Sequence, residues 1–246
     1  MRSCIRSFTR SLSCVAVACV VAACTSAPTT RGEVKGADAN LNEWLQSDMN
    51  RVANFGMREN LNALYRMADK LYKRNPAEWR KGGAASREEA LNKLKQAIEG
   101  EQPWEPLQGK RDIDAMALAM SPSFTGDRVS AFIYSTMDMI VTAHGGKTEF
   151  YLIDGQDAQM LYNAARNIEI AVWMLAHRRG DNGKPLLLAD EINPNERNLS
   201  YEREFGKIIA RLDLLAAVTT EKYRRAVIGY AQGFVGGSFL QFLPVR

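Results

Sequence analysis

Glu169 is the carboxylate whose surroundings most suggest chemistry. It interrupts the run Ile168-Glu169-Ile170-Ala171-Val172-Trp173-Met174, which is apolar nearly all round a helix. A carboxylate placed there is costly unless it is paired. Arg166, three residues earlier, shares a helix face with it and can supply the pair. The expectation is a structural ion pair, with a catalytic acid as the alternative. Two close carboxylate pairs, Asp154 with Asp157 and Asp190 with Glu191, have the spacing to bind a cation or share a proton. Their plainer reading is that Asp154 and Asp157 favour a helix N-terminus and that the second pair is solvated. Glu99, Glu101 and Glu105 read as loop charges.

His144 and His177 each sit near a predicted helix end, where a cationic side chain complements the helix dipole. Neither has a His or Cys partner at ligand spacing, so no zinc motif forms. His144 precedes Gly145-Gly146 and has the chemistry of a general base on a loop, but no nucleophile is placed beside it. Gly145-Gly146-Lys147-Thr148 copies the tail of a phosphate-binding loop without its upstream glycine. No GxSxG elbow and no Ser-x-x-Lys motif occurs. No catalytic, cofactor-binding or metal-binding residue is therefore assigned, and no cofactor is called for. Carboxylate enzymes leave no short motif, so a carboxylate-based hydrolase stays open as the alternative.

The sharpest motif lies near the start. Arg2, Arg6 and Arg10 precede an apolar run, Leu12 to Ala23, that ends in Val21-Ala22-Ala23-Cys24. A basic leader, a short apolar stretch and small residues before a cut site make a secretory signal peptide. The run is twelve residues long, against about 20 for a membrane-spanning helix. Ending on Cys, it resembles the lipobox of a bacterial lipoprotein. That resemblance covers residues 1–24 alone. It implies removal of residues 1–23, thioether lipidation of Cys24, and acylation (palmitate or similar) of the new amino terminus. Several acyl chains anchor a protein stably where one does not. Thr25, where such lipoproteins carry Asp for inner-membrane retention, implies the outer membrane, with the protein facing the periplasm.

The resemblance also revises the arithmetic. All four cysteines (Cys4, Cys14, Cys19 and Cys24) fall in the leader or at the lipid. The mature body then has no thiol chemistry and no disulfide. The net charge of +4 falls to +1 once the three leader arginines are gone. A near-neutral body offers no electrostatic case for nucleic acid.

The remaining elements are helical. Residues 24–37 read as a lipidated tether, small and polar with Pro and Gly. Residues 38–246 read as one all-α domain, or two closely packed helical halves, of about seven to nine helices. Leu41, Trp44, Leu45, Met49 and Val52 share one helix face, and Leu61, Leu64, Tyr65, Ala68, Leu71 and Tyr72 make a second stripe ended by Asn75-Pro76. Gly56 is placed to break or kink that pair. Ser86 and Glu89 form a capping box. The Gly/Pro/Glu-rich stretch 100–110 is a possible sub-boundary. Asp112 to Met120 is a short helix, and Asp127 to Ala143 a strongly apolar one. Asp154 caps the next, with Leu161, Ala164, Ile168, Val172 and Leu175 inward. Asn193-Pro194-Asn195 marks a turn. Ser200 opens an amphipathic helix, and a last helix starts near Thr220.

From Ala226 to Val245 there is no charged residue, and Gly229, Gly233 and Gly237 recur four apart on one helix face. Such spacing lets another backbone approach closely. The expectation is a buried terminal helix packed on one of the apolar helices, with self-association or membrane insertion second. Taken together, these features point to a membrane-anchored envelope lipoprotein whose helical, non-catalytic domain binds an unidentified envelope protein partner or supports assembly of an envelope complex.

Overall fold

Ser47 starts the first described helix. Its Oγ accepts a hydrogen bond from the Asn50 N–H at 3.2 Å, satisfying one of the free donors at a helix start. The computed structural model describes residues 47–151, 155–192 and 197–240. The leader, Cys24, the tether, Leu41, Trp44, Leu45, Asp154 and the Asn193-Pro194-Asn195 turn lie outside the described residues.

The fold is all-α, with seven α-helices among the described residues. They are α1 (Asp48–Arg74), α2 (Pro76–Lys81), α3 (Arg87–Glu99), α4 (Asp112–Ala119), α5 (Arg128–Ala143), α6 (Ala158–His177) and α7 (Ser200–Leu240). A 3-10 turn (Glu105–Leu107) precedes α4, and a two-residue antiparallel ladder pairs β1 (Glu191–Ile192) with β2 (Arg197–Asn198). The described residues belong to one compact unit, Asn42–Arg246.

The caps explain the boundaries. At α3, Ser86 Oγ accepts from the Glu89 N–H at 3.1 Å, while Glu89 Oε2 accepts from the Ala85 N–H at 2.8 Å. The capping box is present, with its return bond one residue upstream of the cap. Asp127 caps α5 through the Ser130 N–H at 3.1 Å. At the far end of α5, Gly145 and Gly146 adopt φ of 75° and 79°, a conformation that side chains resist. Gly146 N–H closes back on the Val141 carbonyl at 2.9 Å.

Helix α5 is the centre of the fold, touching α1, α2, α3, α4 and α6. Every residue of α5 except Thr142 is buried, as expected of a helix that is apolar all round. Its Phe132 meets Phe205 of α7 edge-on at 6.1 Å. Its polar Ser135 and Thr136 donate back to the Ala131 and Phe132 carbonyls, at 2.8 and 2.9 Å. The chain after α5 is tied to α1: Asn54 accepts from the Phe150 N–H at 2.8 Å and donates to the Phe150 carbonyl at 3.0 Å. Segment 100–110 lies over α5, where Trp104 stacks on Tyr134 at 5.8 Å and Leu107 is buried in the same core cluster.

Four expectations are corrected. Helix α1 runs unbroken through Gly56, whose missing side chain faces open space, so no packing demands a kink there. Val52 is 59 % exposed and leaves the proposed inner face; Asn50, Ala53 and Met57 take that face instead. No new helix starts near Thr220, because α7 is continuous for 41 residues. The burial expected for the uncharged stretch fails where it is described: Ala226 to Tyr230 are all exposed.

Candidate functional site

Helices α6 and α7 share the most extensive helix–helix contact among the described residues. They run antiparallel. Arg166 of α6 meets Asp213 of α7 at 2.9 Å, while Ala158 at the start of α6 faces the same groove as Thr220. The groove between them has a volume of about 510 Å³, and Ala158, Ala216 and Ala217 are among the residues that line it. Alanines keep the two helices from filling the space between their axes. Tyr162, Arg166 and Asp213 form its polar wall.

Arg166 organises that wall. One guanidinium nitrogen lies 2.9 Å from Asp213 and 2.9 Å from Glu169, and the guanidinium sits 4.8 Å from the Tyr162 ring centroid. Hydrogen bonding to Tyr162 and then to Asp213 pushes the Arg166 pKa above its ordinary value, so the cation is permanent. Several buried polar atoms at or next to this groove have no hydrogen-bond partner: Asp213 Oδ1, Arg166 Nε, Thr219 Oγ1 and both amide atoms of Gln156. Native interiors leave few such atoms unsatisfied.

On the outer face of α6 two large apolar side chains stand among polar neighbours. Ile170 is 42 % and Trp173 54 % exposed. Trp173 stacks on His177 at 5.1 Å, and His177 Nδ1 bonds the Trp173 carbonyl at 2.9 Å. On α7, Leu214 is 64 % exposed.

The carboxylates that spacing singles out are scattered over the fold. Glu169 is ion-paired with Arg166, as its spacing predicts, but it is half exposed. The cost of burial anticipated for it does not arise, because the run around it presents Ile170 and Trp173 to solvent. Asp157, not Asp154, caps α6, accepting from the Gln159 and Met160 N–H groups at 2.8 and 3.1 Å. Asp190 and Glu191 are divided between partners. Asp190 accepts from the Tyr201 N–H at 3.3 Å, and burial raises its pKa; Glu191 pairs with Arg74 at 2.9 Å. Glu99 pairs loosely with Lys95 at 3.6 Å. The structure does not bring these carboxylates together in one place.

His144 departs from its expected role. It is buried, stacked on Phe150 at 5.2 Å, and its Nδ1–H donates to the Ile140 carbonyl at 2.7 Å. Burial lowers its pKa, so the ring is neutral at pH 7 and is not a cation serving the helix dipole.

Three buried polar clusters escape a reading of the sequence alone. Tyr72 O–H donates to Asp127 at 2.5 Å and lies 2.5 Å from Ser130 Oγ. Glu78 accepts from the Arg128 N–H at 2.9 Å, and the Arg128 side chain donates to the carbonyls of Ala119, Ser121 and Phe124. Asp138 holds Arg111 and the Asp112 N–H. One signal for them exists along the chain: Asp138 is the lone charge between Val129 and Ala143. These clusters join α1, α2, α4 and α5 and lie away from the groove.

Among the described residues no group of three or more His, Cys, Asp or Glu is placed to hold a metal ion. No protein-family model, no curated protein and no solved structure matches this chain.

Proposed function

We propose that this chain is a lipid-anchored envelope protein, held at the outer membrane through Cys24, whose helical domain docks a protein partner on the outer face of α6 and α7. The anchor rests on the lipobox-like Val21-Ala22-Ala23-Cys24. The observation that carries the docking reading is the exposed pair Ile170 and Trp173, three residues apart, beside the α6–α7 groove. An i, i+3 apolar pair along a groove is how helix-in-groove recognition is built. A half-exposed Trp is the residue type most enriched among binding hot spots.

The alternative, a carboxylate-based hydrolase, has less support. Glu169, Asp157 and Glu191 each already have a cation or a backbone N–H as partner.

The test is site-specific photocrosslinking in the native envelope, with the photoreactive residue at Trp173, at Leu214, or at Val52 on α1. The expected result is one adduct of the same mass from Trp173 and Leu214, absent from Val52 and lost when Ile170→Asp is added. Equal labelling from all three positions, or an adduct indifferent to Ile170→Asp, would sink the docking face. Mass spectrometry of the mature protein checks the anchor: a diacylglycerol-modified Cys24 peptide is expected, and Cys24→Ser removes it.

A further inference from the structure

Helix α7 outruns its partner. Ala158, the first residue of α6, lies opposite Thr220, yet α7 continues to Leu240. Twenty residues project beyond the end of α6, about 30 Å of helix at 1.5 Å per residue. Residues 222–230 are exposed at every position, with Val227 at 71 % and Tyr230 at 81 %. A side chain added at Gly229 would meet nothing within 4 Å.

The composition of this projection is wrong for water. Successive helix residues turn by about 100°, so Ala226 to Tyr230 encircle the axis, and none of them is charged. The uncharged stretch continues to Val245. Where a helix is apolar all round, as over Ala226 to Tyr230, it requires an apolar environment all round; Gln232 is the first strongly polar side chain beyond them. A second copy of the helix, seated on the face of Gly229, Gly233 and Gly237, would cover one side and leave Val227 and Ile228 in water. A lipid bilayer covers every side.

The charges point the same way. Lys222, Arg224 and Arg225 stand at the base of the uncharged stretch and, with Glu221, leave a net charge of +2 there. Arg224 and Arg225 are on the Glu221 side of the helix, at 2.5 and 3.9 Å. Basic residues beside an apolar segment fit anionic headgroups, and Tyr223 and Tyr230 are the aromatic type found at that depth. No helix among the described residues is long and apolar enough to cross a membrane. One leaflet is about 15 Å deep, or about ten helical residues.

We propose that the end of α7, from Ala226 onward, inserts into one leaflet of a bilayer, with Lys222, Arg224 and Arg225 at the headgroups. This contact is independent of the lipid on Cys24 and of the docking face on α6. It gives the domain a second hold on the membrane, which fixes its orientation there.

The test uses the full chain with its four cysteines replaced by Ser and a single environment-sensitive fluorophore at Tyr230→Cys or, as the control, at Val52→Cys. Vesicles are made of phosphatidylethanolamine and phosphatidylglycerol, or of phosphatidylcholine alone, each with and without nitroxide-bearing acyl chains. The label at 230 is expected to shift to the blue and to be quenched by the nitroxide lipids, while the label at 52 stays aqueous. Lys222→Ala with Arg225→Ala should weaken insertion into the anionic vesicles about thirtyfold, and into phosphatidylcholine hardly at all. A label at 230 that stays as aqueous as the one at 52 overturns the proposal. So does shielding at 230 that grows with protein concentration in the absence of vesicles, which would mark a second copy as the occupant.

Discussion

Asp138 offers the most direct test of how this fold is held together. Helix α4 starts at Asp112, and the residue before it, Arg111, provides no side-chain cap. The cap comes instead from α5: Asp138 Oδ2 accepts from the Asp112 N–H at 2.8 Å. The same carboxylate receives Arg111 Nε at 2.8 Å to each oxygen and Arg111 Nη2 at 2.5 Å. Asp138 is only 4 % exposed, whereas the Arg111 side chain is 63 % exposed. In Asp138→Ala the arginine can turn to water, so its loss is modest. The partly buried N–H at the α4 start loses its acceptor, which costs about 1–2 kcal/mol. The ionic hydrogen bonds to Arg111 add about 1–2 kcal/mol after discounting for that exposure. The expected loss is therefore about 3 kcal/mol, or about 6–12 °C in Tm for a domain of this size. Arg111→Ala should cost a similar amount for the opposite reason, since it leaves a buried carboxylate with one donor. Urea unfolding followed by circular dichroism measures both, provided the slope with denaturant is unchanged. A loss below about 1 kcal/mol for Asp138→Ala would refute the capping role, because water would then be serving the α4 start equally well.

Gly56→Ala should stabilise the protein by about 0.5–1 kcal/mol, read as a higher urea midpoint, since Gly56 is mid-helix in α1 with open space around it. His144 has a folded pKa held below its ordinary value by burial. The unfolded chain therefore binds the proton first as pH falls, and stability drops on acidification through about 6.5. His144→Phe should flatten that part of the stability profile, as measured by urea midpoints between pH 7.5 and 5. Asp127 behaves oppositely: burial raises its folded pKa. Its contribution should make the fold relatively more stable as pH falls through that raised pKa toward the ordinary carboxylate value. Asp127→Asn should remove this trend, and an unchanged difference profile between pH 6 and 4 would count against it. Glu169→Gln should leave unfolding within about 0.5 kcal/mol of wild type, because Glu169 is half exposed and Arg166 keeps Asp213 as a partner.

Much of the helical fold is legible along the chain. The 3.6-residue periodicity of Leu64, Ala68, Leu71 and Tyr72, the Ser86–Glu89 box, and the Gly145-Gly146 stop all act over one or two turns, and all appear where the spacing places them. Departures occur where a local rule is overridden. Glycine costs helix stability, yet α1 continues through Gly56 because the packed residues on both sides carry it. Glu169 reads as buried because its run is apolar, but only a partner helix decides which faces are covered. The packing of α6 buries Ile168 and leaves Ile170 and Trp173 outside. Asp138 escapes any local pattern because its partners lie 26 and 27 residues away.

By itself, then, the sequence determined the helix class, the Ser86–Glu89 cap and the strongly apolar character of α5. Each of these depends on residues within a few positions of one another, where backbone geometry sets the contacts. Only the tertiary structure decided which apolar residues stay uncovered. Helix α7 runs twenty residues past the end of the helix it packs on, and that overhang is invisible to any local pattern. It leaves Ala226 to Tyr230, the start of an uncharged stretch that reads as core, exposed at every position, because burial belongs to pairs of elements and not to a segment alone.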